Sequence, residues 1–527
     1  MTSPIEQDEV VQQQVFAFLA APATHGVIDV RRIETHAAVV FLAGNRALKV
    51  KRAIRFPFLD YSTLAKRKMA CDEEIRINRP VAPQIYRRVV AITRDREGSF
   101  GIDGSGPPVE YAIEMFRFDE RSTLDHLAQA GALDPAFVEN LADVIAASHK
   151  AAPVIKIDGW IHSIPSIIAA NTTSFRASGR FPEGDIETLD AASLAAFARI
   201  QACLERRYHR GLVRRCHGDL HLGNIVRIAD KPVPFDAIEF DPALASIDIL
   251  YDLSFTLMDL LHYGRRSEAN LLLNRYLTTT FDDNVDGLAT LPLFMSVRAA
   301  VRANVLLARL NEADGDGTTT LSAARRYFAL ACQLVSPSPP TLVAIGGLSG
   351  TGKTVLARAL AGVIDPAPGA VILRSDIARK QYFHVRDTEK LPASAYQPEM
   401  SEVIYKILTD RAEQILSQGH SVILDAVFAK PSERLAAAAI ARKFDLPFAG
   451  LFLVSDLATR TRRVGQRSGD ASDATVDLVK HQEEYDIGSL DWHTIDASGT
   501  PEQTLQRSRV ALGKPETHAA PIALEPQ

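Results

Sequence analysis

Eight consecutive residues, Gly347-Leu348-Ser349-Gly350-Thr351-Gly352-Lys353-Thr354, carry the spacing G-x-x-x-x-G-K-[ST], which suits the binding of a polyphosphate. Glycines let backbone N–H groups turn inward around phosphate oxygens, and the N-terminus of a following helix adds a favourable field. Gly347, Ser349, Gly350, Thr351 and Gly352 would form the cradle. Lys353 would reach the β- and γ-phosphates, and the Thr354 hydroxyl would bind Mg²⁺. ATP and Mg²⁺ are therefore the expected cofactors. Asp376, in Arg374-Ser375-Asp376-Ile377-Ala378-Arg379, follows the next apolar run. Ligands of open α/β sheets bind beyond the carboxyl ends of strands. Asp376 is accordingly read as the catalytic carboxylate that orients or deprotonates an acceptor hydroxyl, with Arg379 holding substrate or phosphate; a helix N-cap is the alternative. Asp425 closes Val422-Ile423-Leu424 as a metal-side carboxylate or as a turn residue. Arg460, Arg462, Arg463 and Arg467 precede Gly469-Asp470. They form either a solvated helix face or a lid over the phosphates, with Arg462 as the nucleotide contact.

A second segment, His217-Gly218-Asp219-Leu220-His221-Leu222-Gly223-Asn224, resembles the catalytic loop of aminoglycoside phosphotransferases and choline kinases. The resemblance implies that Asp219 positions the acceptor proton, that Asn224 turns back to hold Mg²⁺, and that His217 braces the loop. It also implies a second metal ligand downstream. Asp236 in Pro234-Phe235-Asp236-Ala237-Ile238-Glu239-Phe240-Asp241 fills that role, with Asp241 as the alternative. Asp248 and Asp252 are expected to tie loops together. The phosphate lysine comes from Ala47-Leu48-Lys49-Val50-Lys51. Both lysines lie on one strand face, because side chains repeat every two residues. Lys49 is chosen because the preceding Gly-Asn turn and Ala-Leu match the family pattern. Glu74 is its expected partner, with Glu73 close behind. Two further segments, Phe56 to Thr63 and Arg298 to Arg302, look characteristic of the same family without an evident role.

These residues need scaffolds of different kinds. Ala37 to Ala43 and Ala47 to Arg52 read as strands joined at Gly44-Asn45, a hairpin signal. A helix over Lys66 to Asn78 and a strand over Tyr111 to Phe118 follow, and the chain is chiefly helical from Ser122, apart from Val213 to Phe240. A small sheet followed by a helical lobe suits a bilobal, protein-kinase-like α+β domain over residues 1–335. The Pro/Ser stretch 336–340 breaks helix formation and is read as the linker. Beyond it, short apolar strands (342–345, 371–373, 422–424, 448–454) alternate with helices. Such alternation calls for a parallel sheet covered on both faces, an α/β P-loop domain over 341–512. Residues 513–527 are read as a flexible tail. The phosphate loop, the Arg-Ser-Asp-x-x-Arg segment, Asp425 and the arginine cluster together resemble the small P-loop kinases, relatives of gluconate kinase, chloramphenicol phosphotransferase and polynucleotide kinase. The region from Val10 to Val335 is similar to aminoglycoside-phosphotransferase-like proteins often fused to such a kinase.

The net charge of −5 argues against a mainly electrostatic hold on nucleic acid or anionic membrane. Cys71, Cys203, Cys216 and Cys332 form no C-x-x-C pair, which fits buried thiols of a reducing compartment. The start lacks a signal-peptide pattern, and no apolar run approaches the roughly 20 residues of a membrane span; the expectation is cytoplasmic. The leading expectation is a bifunctional kinase acting on small-molecule hydroxyls. The alternatives are a P-loop domain acting on nucleic-acid 5′-hydroxyl ends, or one domain serving as a nucleotide sensor for the other.

Overall fold

The computed structural model describes residues 4–56, 59–156, 159–310, 317–466 and 471–513. Several expectations lie outside them: Pro57 and Phe58 of the Phe56 to Thr63 segment, Arg467 with Gly469 and Asp470, and the tail from residue 514. Backbone contacts divide the chain into one unit of Met1–Ile167 with Leu204–Tyr263 and another of Ile168–Cys203 with Gly264–Gln527.

The first unit is built on a six-stranded antiparallel sheet. Its order is Val30–Glu34, Ala38–Ala43, Arg46–Lys51, Pro108–Phe116, Tyr86–Arg94 and Phe100–Ile102. The hairpin turn is made at Gly44, whose φ of 59° lies in the left-handed region that glycine enters without a Cβ penalty. Alternation along Arg46–Lys51 then decides what each face does. Leu48 and Val50 pack with Val39 and Phe41 against Val15, Phe16 and Leu19 of the helix Pro4–Ala20. Lys49 and Lys51 share the opposite face, which meets the helix Leu64–Asn78 through Glu74. Beyond the sheet, the helix Ile249–His262 is buried from Ile249 to Leu260. Its N-cap, Asp248, accepts from Leu250 N at 2.8 Å and holds the buried Arg207 guanidinium with both oxygens, at 2.7 and 2.8 Å.

The second unit contains a five-stranded parallel sheet, in the order Val371–Arg374, Val422–Asp425, Leu342–Gly346, Phe448–Val454 and His493–Asp496. The central strand is buried along its whole length, as strands covered on both faces must be. Val343, Ile345, Ile423, Leu451 and Leu453 pack with Leu356 and Leu360 of the helix Lys353–Ala361. The fifth strand, His493–Asp496, buries only Ile495 of its four residues, and its polarity hid it from the apolar pattern. The register pairs Ile345 with Asp425 and Arg374 with Asp425, so the carboxyl ends of these three strands, from which the phosphate loop and the Asp376 helix start, lie side by side. The outer strand is covered by the helix Arg266–Asn284. Asn274 Oδ1 accepts from Ile372 N at 2.8 Å, and Asn270 Nδ2 donates to Ala370 O at 3.0 Å. Such cover blunts an edge that would otherwise offer a template for pairing. By length and hydropathy alone the stretch Arg266–Leu310 is apolar enough to cross a bilayer, but 61% of its most apolar window is buried inside the fold. It serves as core.

Candidate active sites

The phosphate loop joins the strand Leu342–Gly346 to the helix Lys353–Ala361. Gly350 has a φ of 86°, and a Cβ there would meet Arg460 O at 2.7 Å, so backbone packs directly on it. Gly352, at φ 94°, faces open space, as a residue presenting its N–H to a ligand should. Thr354 Oγ1 donates to Asp425 Oδ2 at 2.6 Å. Lys353 Nζ donates to the loop's own carbonyls, Gly347 O at 2.8 Å and Leu348 O at 3.3 Å. Ser349 N donates to Gln482 Oε1 at 2.7 Å, and Thr351 Oγ1 to Leu348 O at 2.8 Å. A pocket of about 200 Å³ opens above, lined among others by Lys353, Thr354, Asp376, Asp425 and Ser472. A second, of about 340 Å³, shares Gly350, Gly352 and Val355 with it and adds Arg463, Pro501 and Thr504.

Asp376 is the second residue of the helix Ser375–Tyr382, whose N-cap position is Arg374, so the capping alternative does not hold. Burial pushes its carboxyl above the ordinary value, and Asp425 adds to this against the pull of Arg374 and Lys353. Arg379, one turn on, is buried. It donates to Ala395 O, lies 4.8 Å over the Tyr396 ring, and stands 3.5 Å from Ser401 Oγ. The arginine cluster divides three ways among its described members. Arg460 is buried against Glu483, Arg462 is exposed on the helix Leu457–Gly465, and Arg463 reaches Gly499 O at 2.9 Å and Thr351 O at 3.5 Å.

In the first unit Lys49 Nζ donates to Glu74 Oε1 at 2.9 Å and to Asp236 Oδ1 at 2.5 Å. Burial opposes both charges, but the neighbouring acids raise the Lys49 pKa well above its ordinary value, and Lys49 holds the Asp236 carboxyl down at about 2. Asn224 Nδ2 donates to Asp219 Oδ2 at 3.0 Å. His217 joins these groups: its Nδ1 accepts from Asp219 N at 3.3 Å, and its Nε2 donates to Phe235 O at 2.9 Å. The loop is hung from the helix behind it. Asp252 Oδ1 accepts from Gly218 N at 2.8 Å, Asp259 Oδ2 from Leu222 N at 3.0 Å, and Thr256 Oγ1 donates to Leu220 O at 2.7 Å. Asp241 instead caps the short helix Pro242–Ala245, and Glu73 pairs with Arg76 at the surface.

Sequence reasoning placed Arg463 in the arginine cluster but took Arg462 as the nucleotide contact, and it passed over Pro501 and Thr504, because nothing local marks a residue that meets the phosphate loop from far along the chain. Ser472 and Gln482 were missed for the same reason. Lys51 was weighed against Lys49 for the phosphate role, and Glu239 stood inside a quoted segment without a role; both are buried charges in the fold.

Against known proteins, an uncharacterized protein of Mycobacterium tuberculosis (strain H37Rv) is 27% identical over 494 residues, which are 91% of this chain and 94% of that protein. A choline kinase from Cryptosporidium parvum aligns over 60% of this chain and 95% of its own, at 10% identity and a TM-score of 0.38. A gluconokinase from Sinorhizobium meliloti aligns over 33% of this chain and 93% of its own, at 19% identity and a TM-score of 0.24. Residues 342–485 match the family described as AAA domain, and that match takes in the phosphate loop, Asp376 and Asp425 together.

Proposed function

We propose that the chain is a bifunctional ATP-dependent phosphotransferase, with domains at 1–335 and 341–512, each passing the γ-phosphoryl of Mg·ATP to a hydroxyl of a small molecule. The observation that carries this reading is a repeated constellation. Each site has a lysine, two oxygen-bearing side chains suited to a metal and one further carboxylate: Lys353, Thr354, Asp425 and Asp376 in one, with Thr354 bonded to Asp425, and Lys49, Asp236, Asn224 and Asp219 in the other, with Lys49 bonded to Asp236 and Asn224 to Asp219. Oxygen donors of this kind suit Mg²⁺, and the open side of Gly352 leaves room for phosphate, so the residues fit the group. Bound Mg·ATP would supply the activated phosphoryl and the charge neutralisation that phosphoryl transfer requires.

The protein's own part is positioning and electrostatics. Lys353 and the inward backbone N–H groups would hold the phosphates, with Thr354 and Asp425 on the metal side. Asp376, whose raised pKa makes it a better proton acceptor than an ordinary aspartate, would accept the hydrogen bond of the acceptor hydroxyl and take its proton. The pocket bearing Arg463, Pro501 and Thr504 would take the base and ribose. In the first site Asp219, steadied by Asn224 and His217, would orient the acceptor, while Lys49, held by Glu74, would take the phosphates. Incubation with γ-labelled ATP, Mg²⁺ and a panel of hydroxyl metabolites, aminoglycosides and 5′-hydroxyl oligonucleotides tests this, run beside Asp219→Asn and Asp376→Asn. Label should reach a small acceptor and be lost in one variant only for each substrate. Transfer surviving in both variants would refute the assignment, and transfer to oligonucleotides would redirect it.

A further inference from the structure

Glu74 is fully buried, and its two oxygens serve different lysines: Oε1 accepts from Lys49 and Oε2 from Lys51. Lys51 is itself only 2% exposed, too deep to meet a nucleotide. Its ammonium also pairs with Glu239 Oε1, which takes a further hydrogen bond from the Tyr61 hydroxyl at 2.8 Å. The Tyr61 ring centroid lies 5.4 Å from that ammonium. Glu239 stands three residues after Asp236, and between them Ala237 N donates to Asn78 Oδ1 at 2.9 Å. The segment bearing Asp236 is therefore fastened to the strand Arg46–Lys51 and the helix Leu64–Asn78 at points beyond Asp236 itself.

The charges also have an order. Two ammonium groups face three carboxylates, which leaves one negative charge. The Asp236 side chain is 40% exposed, while those of Glu74 and Glu239 are 0% and 5% exposed. The surplus thus rests at the solvent end, where a cation would be received. Lys49, with one bond to Glu74 and one to Asp236, can exchange the second for a phosphate without leaving Glu74 unpaired. Lys51 has no such freedom, since removing it would take the cation from the buried Glu239 carboxylate and the partner from Glu74 Oε2, which is strongly unfavourable.

We propose that Lys51, Glu239 and Tyr61 form a fixed lock that holds the Asp236 segment against Glu74, making Lys51 and Glu239 positioning residues for the metal-side carboxylate. This also gives a role to Tyr61 in the Phe56 to Thr63 segment. The inference rests on the reading of this site as an Mg·ATP site.

The test uses full-length protein in a Lys353→Ala background, so that ATP binding reports the first site, with Mg²⁺ titrated at fixed ATP. Glu239→Gln and the double variant Lys51→Met/Glu239→Gln should raise the Mg²⁺ concentration for half-maximal ATP binding by about tenfold or more, the usual effect of removing an outer partner of a metal ligand. Tyr61→Phe, which removes one hydroxyl and keeps the ion pairs, should raise it about threefold. Lys68→Met, on the exposed side of the same helix, should change nothing. If the Lys51 and Glu239 variants lower only the amount of active protein, with the Mg²⁺ midpoint unmoved in them and in Tyr61→Phe, the lock is refuted while the site stands. If the Lys353→Ala background binds no ATP, the site reading falls and the lock with it.

Discussion

On the proposed reading, the two candidate sites would meet the same chemical problem with opposite constructions. In the second unit the phosphate-binding parts lie within eight residues, Gly347 to Thr354, on one strand–loop–helix, and a parallel register brings Asp425 and Arg374 to the same edge. In the first unit the parts are scattered. Lys49 meets Asp236 from 187 positions away, and the Asp219 loop depends on hydrogen bonds to the helix Ile249–His262. The electrostatics diverge too. Lys49 holds the Asp236 carboxyl at about 2, whereas burial drives Asp376 up. A local loop can be carried by backbone geometry and tolerate a carboxylate that gains a proton readily. A distributed site depends on ion pairs such as Lys49–Glu74 and Lys49–Asp236 to hold its parts together.

The largest expected effect falls on the local site. Asp376→Asn should lower transfer there by about 10²- to 10⁴-fold and leave the Asp219-dependent transfer intact, as steady-state rates with each acceptor will show. The acid limb of the Asp376-dependent rate should lie above the ordinary aspartate value near 4, since its deprotonated form is lost at a higher pH. Next comes the framework of the distributed site. Asp248→Ala removes the buried carboxylate that the Arg207 guanidinium donates to twice and should destabilise the fold by about 3–5 kcal/mol. Thermal melting should show this together with loss of the Asp219-dependent activity.

A smaller effect concerns the sheet of the second unit. His420 is buried just before the strand Val422–Asp425, and burial lowers its pKa from 6.5 to about 4. The unfolded chain then binds the proton first, so stability is complete above pH 6.5 and falls as pH drops from 6.5 towards 4. The loss reaches about 3 kcal/mol, and urea titrations of His420→Leu should lack that slope. Smallest is Arg463→Ala, which removes one contact to the phosphate loop and should raise the KM for ATP at that site about tenfold, or about 1.4 kcal/mol, with kcat little changed.

How much was legible in the sequence follows the same division. The local motif and its strands were read almost to the residue: 448–454 was expected, and Phe448–Val454 is the strand found. The hairpin at Gly44-Asn45 and the helix bearing Glu74 were equally plain, because turn chemistry and the prolines that bar a helix from continuing are local signals. The edge strand His493–Asp496 was not, since a half-exposed edge lacks the apolar run that marks a buried strand. The choice between Lys49 and Lys51 was open by periodicity alone, as both share a face. Glu74 pairs with both, and it is Asp236 beside Lys49 and Glu239 beside Lys51 that distinguish the two lysines in space. Arg463 likewise became distinct from Arg462 only through the loop at Gly499.

The central claim is that one chain holds two separate Mg·ATP sites, and the stoichiometry of ATP binding in the presence of Mg²⁺ tests it most directly. Calorimetric titration of the full-length protein should give two ATP per chain, one after Lys353→Ala, one after Lys49→Ala, and none in the double variant. A single ATP in the unaltered protein, abolished by Lys353→Ala and untouched by Lys49→Ala, would contradict it.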